Sequence, residues 1–112
     1  EPAVRSLALR VLERRGHRVL EAATPSEALA LVEQSGDGIG LCLTDVVLPG
    51  LSGPELARRI VARQPSIRVG FMSGYAHEAV RANGALPRDA VLLEKPFSSE
   101  GLCRMVEGLL RG

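Results

Sequence analysis

Three polar side chains each close a short apolar run: Asp45 after Ile39 to Thr44, Ser73 after Ile67 to Met72, and Lys95 after Val91 to Leu93. A carboxylate, a hydroxyl and an ammonium gathered at one edge would supply an acceptor oxygen, a hydrogen-bond donor and a positive charge. That set suits phosphoryl transfer, where catalysis is mainly positioning and charge stabilisation. Lys95 is the only Lys in a chain whose other thirteen basic residues are Arg, so this ammonium invites its own explanation. Taken singly, each residue has a plainer use: Asp45 opens a turn, Ser73 caps the next segment, and Lys95 is a surface charge. The coincidence of all three at strand ends, with Pro96 directly after the Lys, favours a shared site. A Lys95-Pro96 peptide also permits the cis form, which would aim the Lys side chain back into that site.

The elements that must bring these residues together are read from periodicity and punctuation. Val4, Leu7, Ala8, Val11 and Leu12 fall at helical spacing from Pro2 to Arg15, with Gly16 as the stop. Arg18 to Ala22 reads as a strand, and Thr24 with Glu27 has capping-box spacing for a second helix ending near Ser35. Ile39 to Thr44 suits a strand buried on both faces. After the turn-rich Leu48 to Gly53, a third helix carries Leu56, Ala57, Ile60 and Val61 inward until Gln64-Pro65. Ile67 to Met72 is the next strand, Ala76 to Asn83 a short helix, and Val91 to Leu93 the last strand. Ser98 to Leu110 is a final helix with Leu102, Met105, Val106 and Leu109 inward. Alternating strands and helices with short loops predict a parallel sheet covered on both faces, the doubly wound α/β class. Ligands in that class bind beyond the C-terminal ends of the strands, where the three polar residues fall.

Composition narrows the alternatives. The 112 residues predict one domain, and the net charge of +1 gives no basic field for direct nucleic-acid binding. No apolar run approaches the roughly 20 residues that span a bilayer, so no membrane contact by this domain is expected. Cys42 and Cys103 lie in apolar surroundings without paired or metal-type spacing and read as reduced core thiols, consistent with a cytoplasmic setting. His17 and His77 have no carboxylate or Cys at ligand spacing.

Three segments then carry a resemblance: Leu43-Thr44-Asp45-Val46-Val47-Leu48-Pro49-Gly50-Leu51-Ser52-Gly53, Phe71-Met72-Ser73-Gly74-Tyr75-Ala76, and Leu93-Glu94-Lys95-Pro96-Phe97. In this order and spacing the chain resembles the receiver domains of bacterial response regulators and, most of all, those of hybrid sensor histidine kinases. The resemblance implies a flavodoxin-like sheet, a phosphoacceptor at Asp45, a hydroxyl switch at Ser73 and a phosphoryl-pairing Lys95. It also implies further donors from the backbone amides of Val46 and Gly74. The partner it implies is a histidine kinase or phosphotransfer domain. The ion it implies is Mg²⁺, held by the Asp45 carboxylate, the Val47 carbonyl and acidic side chains ending a first strand. The output it implies is the face formed by the short helix after Ser73, the last strand and the last helix.

Two departures from the family pattern stand out. The apolar strand that ends in two acids and normally precedes the first helix is lacking, so the domain over 1–112 is expected to be N-terminally incomplete. Either the sequence starts late, or a partner chain fills the gap in a dimer or by strand exchange. The position three before the Lys, often aromatic, is Leu92, and Tyr75, two residues after Ser73, reads as a loop residue near the site rather than as a substitute for it. Of the competing classes, an Asp-nucleophile phosphatase would need a second carboxylate two residues on, where Val47 stands. A pseudo-receiver serving only as an interaction module is the alternative.

Overall fold

A computed structural model of the chain describes residues 2–36, 38–46, 48, 50–74 and 90–111, with side chains from Arg5 onward. Its helices are α1 (Pro2–Arg14), α2 (Pro25–Ser35), α3 (Gly53–Arg63) and α4 (Ser99–Arg111). Its strands are β1 (Leu41–Asp45), β2 (Arg68–Ser73) and β3 (Val91–Glu94). The short helix expected over 76–83 lies outside the described residues.

Three of these helices start on a hydroxyl that accepts from an otherwise free amide of the first turn. Thr24 Oγ1 takes the Glu27 amide at 3.1 Å, Ser52 Oγ the Glu55 amide at 3.2 Å, and Ser98 Oγ the Gly101 amide at 2.9 Å. Glu27 reaches back to the amide of Ala23 at 2.8 Å, one residue before the cap. α1 ends as Gly16 predicted: at φ 89° its amide donates to Glu13 O, and His17 N donates to Leu12 O.

The strands pair in parallel in the order β1-β2-β3. Side chains alternate across this sheet and sort into two layers. On one face Leu41, Leu43 and Leu93 pack against Ala8 and Leu12 of α1 and Leu102 and Val106 of α4. On the other, Cys42 packs against Val32 of α2 and Leu56 and Ile60 of α3. Val46, Ala57 and Phe71 form a third cluster next to the strand ends. At Gly70 α4 lies so near the sheet that a Cβ would meet Met105 Cε at 2.7 Å and Leu109 Cδ1 at 3.0 Å. Coverage on both faces is the doubly wound arrangement read from the sequence.

Two expectations need correction. Arg18–Ala22 is not a strand: a strand exists through its ladder, and among the described residues no strand pairs with this stretch. It is instead tied to α1 by an ion pair of Glu21 with Arg5 at 3.1 Å. Leu7, expected inward, is 41% exposed, because the contact stripe of α1 is carried by Ala8, Val11 and Leu12.

Both thiols are free, as expected. Burial against the α2–α3 layer pushes the Cys42 thiol from 9.0 up to about 11. At pH 8 this cuts its thiolate fraction about 100-fold, so iodoacetamide should label Cys42 about that much more slowly in the folded than in the urea-unfolded chain. Site-resolved mass spectrometry reads the ratio, and equal rates would show an accessible thiol. The sign for stability follows. The unfolded chain loses this proton first as pH rises, so stability falls between about pH 9 and 11.

Candidate functional site

Parallel register brings the three polar residues to one edge. Asp45 stands opposite Met72, and Ser73 opposite Glu94, with Lys95 following directly. Asp45 lies two residues beyond Leu43, and Lys95 two beyond Leu93, so period-two alternation sends both to the same face. There Lys95 Nζ lies 2.7 Å from Asp45 Oδ1, with the two side chains 21% and 18% exposed. The contact is one of charge. Asp45 Oδ1 is buried and accepts no hydrogen bond of good geometry, leaving lone pairs open to a further ligand. The Lys95-Pro96 peptide is cis.

Ser73 is buried at the end of β2, and its carbonyl accepts the Lys95 amide at 2.7 Å. Gly74 follows, half-buried. The Val46 amide, implied as a donor to the phosphoryl group, donates to Met72 O at 2.8 Å and is thus engaged with the sheet. Val47 and Tyr75 lie outside the described residues.

Two neighbours of Asp45 carry no clear mark in the sequence. The buried hydroxyl of Thr44 donates to Asp45 O at 3.1 Å. The Gly53 amide, at the start of α3, donates to Val46 O at 2.9 Å. A hydroxyl in an apolar strand is the available signal for the first. Gly53 closes the first motif segment, but local pattern does not reveal its role, because it sits among turn residues and its closest contact is eight positions back.

The arrangement is a carboxylate on a strand end, faced by an ammonium and flanked by a hydroxyl. A profile of the response regulator receiver domain matches residues 1–107. The chain belongs to the receiver domain family. It is 41% identical over 112 residues to the sensor kinase CckA of Brucella abortus, covering 98% of this chain and 12% of that kinase. It is 32% identical to the receiver protein CpdR of the same organism, covering 96% of this chain and 88% of CpdR. A crystal structure of the receiver domain of the hybrid histidine kinase CckA superposes with a TM-score of 0.81 at 35% identity, over 98% of this chain and 92% of that one. A receiver domain from Clostridium thermocellum gives 0.86 at 25% identity, over 99% and 88%.

Accepting a phosphoryl group is the function of this family, and receiver domains interact with histidine kinases or phosphotransfer partners. The family generally binds Mg²⁺. Asp45 Oδ1, paired in charge with Lys95, is the kind of hard carboxylate oxygen that such an ion prefers. One carboxylate is not a metal site, however, and among the described residues no three His, Cys, Asp or Glu side chains gather. The remaining acidic ligands of this receiver domain would have to come from outside those residues. No described helix is long and apolar enough to cross a membrane.

Proposed function

We propose that this receiver domain takes a phosphoryl group onto Asp45 from the phosphohistidine of a kinase or phosphotransfer domain. A carboxylate oxygen of Asp45 attacks phosphorus in line. The P–N bond breaks, the imidazole nitrogen leaves with the electron pair, and an acyl phosphate forms on Asp45. Lys95 then faces added negative charge, the Ser73 hydroxyl and Gly74 amide donate to it, and Val46 joins them only by sharing its bond to Met72. The observation that carries this reading is the 2.7 Å approach of Lys95 to a buried carboxylate oxygen with no hydrogen bond of its own.

Mg²⁺ belongs to the same reading, with Asp45 and the Val47 carbonyl as ligands and acids supplied by one more strand. β1 is the end strand of the described sheet, and among the described residues Arg18–Ala22 has no ladder partner. An apolar parallel strand entering beside β1 would complete both. It comes from the same chain or, by exchange, from a second copy. The output face comprises β3, α4 and the helix expected over 76–83, acting on proteins in the cytoplasm rather than on nucleic acid directly.

The test is incubation of the full-length protein with acetyl phosphate and Mg²⁺, followed by mapping of a hydroxylamine-sensitive label. Label on the Asp45 peptide is the expected result. A chain that stays unlabelled by acetyl phosphate and by kinase, yet still binds a partner, would instead be a pseudo-receiver.

A further inference from the structure

We propose that Gly53 is a positioning residue for the phosphoacceptor, holding the Asp45 carboxylate opposite Lys95 by letting the start of α3 close directly on the Asp45–Val46 peptide. The inference rests on the reading of Asp45 given above, but it stands on a separate contact. A Cβ built at Gly53 would lie 1.9 Å from Asp45 O, 2.9 Å from its carbonyl carbon and 3.1 Å from Val46 Cα. All three are backbone atoms, so no side chain can swing away to make room.

Conformational freedom is not the reason for this glycine. Among the described residues the positive-φ glycines are Gly16, Gly36 and Gly50, and Gly53 is not one of them. An Ala at the first helical position would ordinarily favour the helix over Gly. Space alone excludes it here.

The contact reaches the site through three backbone hydrogen bonds. Gly53 N–H donates to Val46 O at 2.9 Å, Val46 N–H to Met72 O at 2.8 Å, and Lys95 N–H to Ser73 O at 2.7 Å. The start of α3, the Asp45–Val46 peptide, the end of β2 and the residue after β3 thus form one connected row. α3 cannot simply retreat, because Leu56, Ala57 and Ile60 are buried in the layer behind it. A displacement imposed at Gly53 therefore falls on the Asp45–Val46 peptide. Thr44 Oγ1 donates to the same Asp45 carbonyl at 3.1 Å.

Amide hydrogen exchange of metal-free Gly53→Ala tests this without any phosphorylation. Exchange at Val46 should rise at least ten-fold relative to Val69 and Phe71 of β2, which report opening of the whole sheet. In the full-length protein, labelling by acetyl phosphate should slow by at least ten-fold per folded molecule. Gly70→Ala is the control, because the nearest atoms to its new methyl are the side-chain ends of Met105, Leu109 and Leu43 rather than the backbone of the site. It should lower stability while leaving the labelling rate of the folded fraction intact. Wild-type exchange at Val46 in Gly53→Ala, or a labelling loss matched by Gly70→Ala at equal stability, would overturn the proposal. Should Gly53→Ala not fold, Thr44→Val carries the test by removing the other hold on the Asp45 carbonyl. A Val46 exchange rate and a labelling rate both unchanged in that variant would equally overturn it. Failure of the wild-type protein to label at Asp45 would instead remove the functional reading and leave the exchange result standing.

Discussion

Asp45→Asn is expected to reduce phosphoryl incorporation to background while the protein stays folded. The amide keeps the shape of the carboxylate but lacks the anionic oxygen that must bond to phosphorus, so the effect is chemical rather than steric. The substitution also removes the negative partner of Lys95, at 2.7 Å on a pair that is mostly but not wholly buried. Loss of such a contact costs about 1 kcal/mol, since an amide oxygen still offers the ammonium an acceptor. The paired measurement is labelling by acetyl phosphate and thermal unfolding on the same sample. A hydroxylamine-stable label persisting on a Ser or Thr in the variant would sink the assignment.

Lys95→Ala is expected to separate response from stability in the same way. With Asp45 phosphorylated, the ammonium faces the phosphoryl oxygens in place of the carboxylate charge, and a charge-assisted bond to them carries about 10- to 100-fold in affinity. Binding of beryllofluoride, a mimic of the phosphoryl group, should weaken by that factor in the full-length protein with Mg²⁺. The unfolding midpoint should move only slightly, because the Lys stem adds little to the core clusters behind the strand ends. Lys95→Arg should restore only part of the affinity, since a planar fork does not reproduce a point charge at 2.7 Å. Equal losses of stability and of beryllofluoride binding would identify Lys95 as a structural residue.

Both expectations depend on features that local sequence pattern expresses to different degrees. The four described helices are legible nearly to the residue, because a helix satisfies its own backbone and announces its ends. Thr24 with Glu27, Gly16 and Gln64-Pro65 all act within a few positions along the chain. The strand expected at Arg18–Ala22 fails for the opposite reason. Its apolar pattern is that of a strand, yet a ladder needs a neighbour that local pattern does not contain. The exposure of Leu7 shows the same limit on a helix, where the periodicity allows a stripe wider than the one α4 covers.

The sequence by itself determined which carboxylate, which hydroxyl and which ammonium end the apolar runs, and hence the family to which the chain belongs. Those are properties of residue type and order, and local patterning is enough to express them. Only the tertiary structure decided how the groups are held. Parallel register set Asp45 level with Met72 and carried Lys95 to 2.7 Å from its oxygen. Packing of α3 set the Gly53 backbone against the Asp45 carbonyl, and the sheet engaged the Val46 amide that the motif alone left free. Each of these contacts joins segments distant in sequence, and their distances are fixed by layers of side chains that meet only after the chain has folded.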